Sequence, residues 1–482
     1  MLLLHFFTEK IAHSSYMLAG RKTCAVIDPR RDTGVYIDEA HARDLQITHV
    51  LETHLHADFI SGHMEFADQT GAEIFAPASG NCSFPHRPVE DGDVIELEDM
   101  SLTVMETPGH TPEHVCYVVV DSSRGEDPVG VFTGDTLFVG DVGRPDLFPD
   151  LVETLAGLLY DSLHDRLMLL PDFCEVYPAH GAGSLCGRAV GAKRSSTIGY
   201  ECKYNFALRI GDRSRFIEAL TTDMPPPPDH FSRCSEINRK GPELLKNLPS
   251  LDALTPHEFQ GRMNSPGSMV LDIRSYDAFD SQHVPGSLSI DFRGNFPTFC
   301  GWIVPPRTDV LLVTGNRWEA VEAQTWARRV GVDRVTGFLR GEMSSWSTNG
   351  FETSRIEQVS ATGLHDLITG GSPITLIDVR SRAEFQDNHI DGAVNIPVTD
   401  LRERHSELDP SMTAVLICST GYRSGLGASI LETRGFREVV NVSGGMSGYA
   451  AAGFSRECRI CANPHSAGTG DDLAYAADRE AP

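Results

Sequence analysis

Apolar positions in this chain come in short runs, each closed by a polar or charged residue. The runs are long enough for strands and too short to span a membrane. The first, in MLLLHFFTEKIAHSSYML, has no basic lead-in and reads as a first strand rather than a secretion signal. ITHVLETHLHAD (47–58), SLTVMETPGH (101–110), PVGVFTGD (128–135) and EVYPAH (175–180) follow one plan, an apolar stretch and then histidine or aspartate. Each reads as a strand, so His54, His56, Asp58, His110, Asp135 and His180 should gather at one end of a sheet system.

Beyond residue 250 the pattern repeats. LDIRSYDAFDSQHVPG (271–286) matches IDVRSRAEFQDNHIDG (377–392) at an offset of 106, which carries Asp272 onto Asp378, Arg274 onto Arg380 and His283 onto His389. The same offset, without a gap, carries Gly315 onto Gly421 and Arg317 onto Arg423. Each copy is a short apolar strand, a helical stretch, another strand and a Gly/Arg loop that opens a helix. That alternation predicts a parallel α/β sheet. Two boundaries are expected: the proline run in TTDMPPPPDHFSRC (221–234), which favours extended chain, and the polar WSTNGFETSRIEQ (346–358). The reading is therefore 1–245, 250–350 and 357–456, followed by a polar tail at 457–482 that should be disordered.

Length agrees, since 482 residues at roughly 150 per domain suggest about three domains. A hydrophobic content of 40% is enough for real cores. The net charge of −26 argues against nucleic-acid and anionic-membrane partners, because phosphates need a basic face. Eleven scattered cysteines, an odd number, predict a reducing cytoplasm and mostly free thiols.

One of those thiols stands out. In AVLICSTGYRSGLGASILETRGF (414–436), Cys418 ends an apolar strand, residues 418–423 form a loop and Ser424 starts a helix. Backbone N–H groups of such a loop, with the helix N-terminus and Arg423, favour an anion at the centre and make a cysteine there nucleophilic. Gly421 and Ser424 belong to the same cradle. The segment resembles the rhodanese (sulfurtransferase) family over 357–456, through LIDVRSRAEF, HIDGAVNIP, CSTGYRS and VSGGMSGY. The resemblance implies a persulfide carried on Cys418. The six-residue loop fits sulfur transfer, whereas the related phosphatases use a longer one. In the second copy the ungapped offset puts Leu312 in the place of Cys418, and Cys300 lies twelve residues too early. That copy is expected to be a rhodanese-like fold without sulfurtransferase activity.

The first 240 residues resemble the metallo-β-lactamase superfamily, an αββα sandwich, through His54, His56, Asp58, His110, Asp135 and His180. The family motif is His-x-His-x-Asp-His, and here the last position is Phe59. Phenylalanine cannot ligate, so a two-metal site is disfavoured. With one metal, the set can be His54, His110 and Asp135, two histidines and a carboxylate with open positions, as in non-haem Fe(II) oxygenases. His56, Asp58 and His180 would orient ligands or hold water. The persulfide dioxygenase branch shows the same two-His, one-Asp site, and TGDTLFVGDVGRPDLF (133–148) resembles its signature. Arg144 in that stretch would hold a loop carboxylate or steer an anionic substrate. Cys186, in YPAHGAGSLCG, would form mixed disulfides or persulfides with substrate, or be a buried bystander.

The resemblance thus implies an N-terminal metallo-β-lactamase fold and two rhodanese-like domains, a combination of α/β and α+β architecture. It implies one Fe(II) per chain and sulfide-detoxifying chemistry on a low-molecular-weight persulfide, O2, sulfite and thiosulfate. The alternatives are a glyoxalase II-like zinc thioesterase with an accessory sulfurtransferase, and a non-catalytic sulfur carrier or sensor. Family members often form homo-oligomers, though no residue here carries that expectation. Cys458 and Cys461 with His465 make only a weak zinc signal, because a fourth ligand is lacking nearby.

Overall fold

The computed structural model describes residues 1–456 apart from 223 and 225, so the polar tail and Cys458, Cys461 and His465 lie outside the described residues. The chain forms two compact units, Met1–Asn247 with Arg329–Gly331, and Leu248–Arg328 with 332–456. Among the described residues no helix is long and apolar enough to cross a membrane.

The first unit is built on two six-stranded sheets. One runs in sequence order through Leu2–Thr8, His13–Ala19, Thr23–Ile27, Gln46–Leu51, Glu73–Pro77 and Arg87–Val89. The other takes Ser196–Thr197, Glu175–Pro178, Pro128–Gly134, Val115–Asp121, Met100–Glu106 and Val94–Leu97 in spatial order. The two-residue period of each strand sorts its side chains between layers. Tyr16, Leu18, Ile27, Leu51, Leu102, Val104, Tyr117 and Phe132 fill the space between the sheets. Met17, Val26 and Val50 face outward, where Tyr36 of helix Gly34–Ala42 and Phe66 of helix His63–Thr70 cover them. Val118, Val131 and Val176 are covered by Leu159 and Leu163 of helix Val152–His164 and Phe216 of helix Arg213–Thr221. This is the αββα sandwich.

Strand direction places the site. Glu175–Pro178 is parallel to Pro128–Gly134, so Asp135 and His180 emerge at one edge. Met100–Glu106 is antiparallel to Val115–Asp121, which is antiparallel to Pro128–Gly134. His110, after the former, therefore leaves at that same edge. In the other sheet Thr23–Ile27 and Gln46–Leu51 are parallel, and Asp28 and residues 52–63 follow their ends.

The second unit holds two five-stranded sheets of the same topology. Their strand orders are Asp252–Leu254, Val335–Leu339, Asp309–Val313, Ser268–Asp272, Leu288–Ser289, and Glu357–Val359, Val439–Val442, Thr413–Ile417, Ile374–Asp378, Val394–Asn395. Every pairing is parallel. Both expected linkers are shorter than read. Helix His230–Lys240 begins inside 221–234, because chain beyond a proline run is free to turn helical. In 346–358, Trp346 is buried, stacks on Phe351 at 4.5 Å and donates from Nε1 to the Glu352 carbonyl, so the segment packs onto its own domain.

The sheet registers correct the ungapped repeat. Asp272 pairs with Val313 and its equivalent Asp378 pairs with Ile417, so Val313 matches Ile417 and Thr314, not Leu312, stands where Cys418 does. Leu312 is a buried strand residue. The loop before the helix is also one residue shorter, Thr314–Asn316 against Cys418–Gly421. The strand register thus sits at an offset of 104, two residues from the 106 that the Gly/Arg pairs keep, and those matching pairs hid the shift. The domain still lacks a cysteine at that position.

Candidate metal centre and sulfur-transfer loop

His54, His110 and Asp135 converge in a fully buried cluster. His110 Nε2 lies 3.3 Å from Asp135 Oδ2, and His54 Nε2 lies 3.8 Å from it. The remote atom of each side chain is tied down. The Thr53 hydroxyl donates to Asp28 Oδ2 at 2.9 Å, which leaves its lone pairs to accept from His54 Nδ1 at 2.9 Å. His110 Nδ1 donates to the Arg144 carbonyl at 2.9 Å, and His180 Nδ1 donates to Asp135 Oδ1 at 2.7 Å. This fixes both histidines as Nδ1–H tautomers with a lone pair at Nε2. His54 Nε2, His110 Nε2 and Asp135 Oδ2 are buried without a hydrogen-bond partner among the described residues. Three acceptors with no donor between them are costly unless a cation sits among them, so the donor set fits a metal ion.

The electrostatics agree. Burial drives the His54 and His110 pKa values down, which favours neutral, ligating imidazole. Burial alone would raise the Asp135 carboxyl, but His180, with His110 and His54, outweighs it and holds the carboxyl well below the usual range. Burial likewise opposes charge on His180, yet Asp135 and Asp58 raise its pKa well above the ordinary histidine value.

The other predicted residues divide into two groups. His56 turns away from the cluster: Nε2 lies 3.1 Å from Asp28 Oδ1 and 3.7 Å from Glu52 Oε2. His180 spends both ring nitrogens on carboxylates, with Nε2 2.8 Å from Asp58 Oδ2. Phe59 is fully buried, its ring centroid 4.4 Å from that of His56 and 4.0 Å from that of His13. Cys186 lies with Asp58 and His180, in an apolar group that includes Ala57, Phe138 and Phe231. Burial and the Asp58 and Asp135 charges push its thiol pKa well up, so it stays protonated and suits the bystander reading better than the nucleophilic one. The Arg144 guanidinium is held by Asp146 at 2.6 and 2.8 Å and donates to the Leu185 carbonyl at 3.1 Å. Of its two expected roles, this is the loop-holding one.

Sequence reading missed several supports. His114 Nε2 accepts from the Asp135 N–H at 2.9 Å, and burial pushes its pKa down to about 3, which keeps that nitrogen an acceptor. It stacks on His54 with ring centroids 4.8 Å apart. Its spacing of four from His110 is the only signal in the sequence. Asn238 donates from Nδ2 to the His56 and Phe59 carbonyls at 2.8 Å each, and accepts from Ser61 N–H at 2.9 Å. It clamps the histidine loop from a helix that the linker reading left out. His13 is buried beside Phe59, with neither ring nitrogen hydrogen-bonded among the described residues. Gly143 is needed for close approach: a Cβ there would fall 1.9 Å from the Asp135 carbonyl oxygen and 3.0 Å from His110 Nδ1. Gly143→Ala should therefore displace the Asp135 and His110 loops, destabilise the protein by about 1–3 kcal/mol and lower bound metal per chain, as read by thermal melting and elemental analysis.

In the second unit Cys418 follows strand Thr413–Ile417 and is almost fully buried. The Gly421 N–H donates to its sulfur at 3.1 Å, and the Ser424 hydroxyl donates at 3.3 Å. The helix begins at Tyr422, two residues earlier than read. Gly421 has φ +108°, and a Cβ at Gly445 would fall 2.3 Å from the Cys418 carbonyl oxygen, so glycine is required at both places. The Arg423 guanidinium forms two 2.7 Å hydrogen bonds with Glu384 and another with the Ser419 hydroxyl of the loop. It fixes the loop wall and is a positioning residue. Glu384→Gln should slow sulfur transfer roughly tenfold by loosening a charged pair worth about 1.5–3 kcal/mol, while Cys418 still accepts sulfur in a mass measurement.

Comparison with known proteins agrees with the three-domain fold. The metallo-β-lactamase superfamily profile matches residues 9–180, and the rhodanese-like domain profile matches 255–349 and 360–452. A hydroxyacylglutathione hydrolase of Methylobacillus flagellatus is 38% identical over 157 residues, 32% of this chain and 56% of that protein, so the match spans little more than half of it. A mitochondrial persulfide dioxygenase of Bos taurus is 31% identical over 201 residues, 40% of this chain and 74% of that protein. The crystal structure of a metallo-β-lactamase from Staphylococcus aureus is similar with a TM-score of 0.63 and 31% identity, covering 70% of this chain and 98% of that one.

Proposed function

We propose that this chain, which belongs to the metallo-β-lactamase superfamily and carries two rhodanese-like domains in series, is a persulfide dioxygenase joined to a sulfurtransferase. One observation carries the first half of this reading. Two imidazole nitrogens and one carboxylate oxygen face a single point, while Phe59 and the Asp58–His180 hydrogen bond take up the neighbouring position. That set suits one iron ion with open positions better than a pair of zinc ions.

The reaction is RSSH + O2 + H2O → RSH + SO3²⁻ + 2 H⁺. Fe(II), when bound, would supply the capacity to bind and activate dioxygen beside the persulfide sulfur. The chain's residues prepare that place. Thr53 and the Arg144 carbonyl hold the two imidazoles in ligating tautomers, and His180 keeps Asp135 anionic. Burial of the cluster excludes bulk water from the reacting atoms.

At the second centre, the Cys418 thiolate attacks the sulfane sulfur of thiosulfate. A new S–S bond forms on Cys418, the thiosulfate S–S bond breaks and sulfite leaves with the electron pair. A thiolate acceptor then attacks the outer sulfur and departs as a persulfide, which regenerates the Cys418 thiolate. Run in reverse, the same steps turn a persulfide and sulfite into thiosulfate. The Gly421 N–H and the Ser424 hydroxyl are placed to stabilise negative charge on sulfur.

The 38% identity to a hydroxyacylglutathione hydrolase favours a second reading, a zinc thioesterase. Phe59 and the engaged ring of His180 weigh against it. Metal analysis of anaerobically purified protein separates the two: one iron per chain supports the dioxygenase, and two zinc ions with hydrolysis of a glutathione thioester would replace it.

A further inference from the structure

We infer that Tyr276, from the rhodanese-like domain that lacks the cysteine, forms a wall of the Cys418 site and favours compact anions over bulkier thiols as its sulfur donors and acceptors. This rests on Cys418 being the sulfur carrier.

Tyr276 opens the helix Tyr276–Ser281, whose start is capped by Ser275, and its N–H donates to Asp291 Oδ2 at 3.3 Å. The ring lies over the Cys418 loop. A Cβ built at Gly421 would fall 2.6 Å from Tyr276 Cζ and 2.9 Å from its hydroxyl oxygen, and one built at Gly425 would fall 3.0 Å from Tyr276 Cβ. Glycines one helical turn apart thus make the groove that admits the ring. Gly421 is also the residue whose N–H holds the Cys418 sulfur, so the tyrosine covers part of the sulfur cradle. Tyr422 meets the ring edge-on at 5.6 Å between centroids. The tyrosine hydroxyl lies against Ser443 and the Gly444 backbone, beside the glycine that packs on the Cys418 carbonyl.

The wall is held rigidly. Asn441 donates to Asp280 Oδ2, on the Tyr276 helix, at 2.8 Å. His283 Nε2 lies 2.8 Å from Glu432 Oε2, and Ser289 N–H donates to Ser429 Oγ at 3.0 Å. These bonds fix the domain without a cysteine to the strand Val439–Val442 and to the helix that follows the Cys418 loop. Cys418 is only 1% exposed, and a sulfur donor or acceptor that approaches it over Gly421 meets the Tyr276 ring. Thiosulfate, sulfite or cyanide is small enough to pass it. A peptidyl thiol such as glutathione must push the ring aside. The domain that has lost its own nucleophile would then persist as a selectivity element for its neighbour.

The test uses the full-length protein, loaded with sulfur from thiosulfate and discharged by cyanide or by glutathione. Tyr276→Ala should raise kcat/KM for glutathione relative to cyanide by on the order of tenfold, the scale of a removed steric contact, while Tyr276→Phe leaves the ratio unchanged. If the alanine variant does not fold, Tyr276→Leu replaces it, with a smaller rise expected. An unchanged ratio in the alanine or leucine variant overturns the wall, and so does an equal change in the phenylalanine variant, which would assign the effect to the hydroxyl. A wild-type protein that takes up no sulfur at Cys418 would instead refute the sulfurtransferase reading.

Discussion

Asp135→Ala should leave Cys418 able to accept sulfur while bound metal and O2 uptake fall to background. Asp135 Oδ2 is the oxygen that meets both imidazoles, and among the described residues no other carboxylate oxygen joins that trio. Removing an outer partner of a ligand weakens metal affinity roughly 10–100-fold, and removing the ligand itself must exceed that. The substitution also strips His180 of one of its two carboxylates, which costs stability, because a buried charge loses a partner. Asp135→Asn keeps the shape and part of the hydrogen bonding, and should separate loss of metal from loss of fold. Metal per chain, O2 uptake with a supplied persulfide, and the mass gain at Cys418 after thiosulfate are measured on each variant. Persulfide-dependent O2 uptake in a variant without Asp135 would rule out this ligand set.

Cys418→Ser should abolish sulfur transfer from thiosulfate, by more than roughly 10³-fold, the scale of losing a nucleophile, and leave O2 uptake intact. Serine fits the site, since Cys418 packs tightly at the end of a buried strand and the two side chains are close in size. What is lost is chemical: a hydroxyl at neutral pH is neither a thiolate nor able to hold a sulfane sulfur. Sulfite release from cyanide plus thiosulfate reads the first effect, and an oxygen electrode with glutathione persulfide reads the second. Loss of both activities would contradict two independent centres.

The cluster of His54, His110 and Asp135 was legible because each of its residues follows an apolar run, and parallel strand ends bring such residues to one edge. Phe59 was equally plain, since a ring cannot replace an imidazole. His114 was not. Its role depends on a backbone N–H twenty-one residues away in sequence, and nothing local marks it. Asn238 stands still farther from the loop it clamps, beyond a proline run that reads as a linker. The position of Arg423 was legible but its direction was not: a guanidinium on a long stem goes to the nearest carboxylate, and only the fold shows that to be Glu384. The repeat was visible at once, yet a two-residue shift in its register was concealed by the Gly/Arg pairs that still match at the original offset, and it took strand pairing to move the Cys418 equivalent from Leu312 to Thr314. The Tyr276 contact crosses between repeats, so no pattern within either copy announces it.

The most direct test is oxygen consumption by anaerobically purified, iron-loaded protein given glutathione persulfide, with sulfite and thiosulfate assayed in the same reaction. Stoichiometric O2 uptake with sulfite or thiosulfate appearing is the predicted result. No uptake from a sample shown to hold one iron per chain, with hydrolysis of a glutathione thioester in its place, would contradict the account.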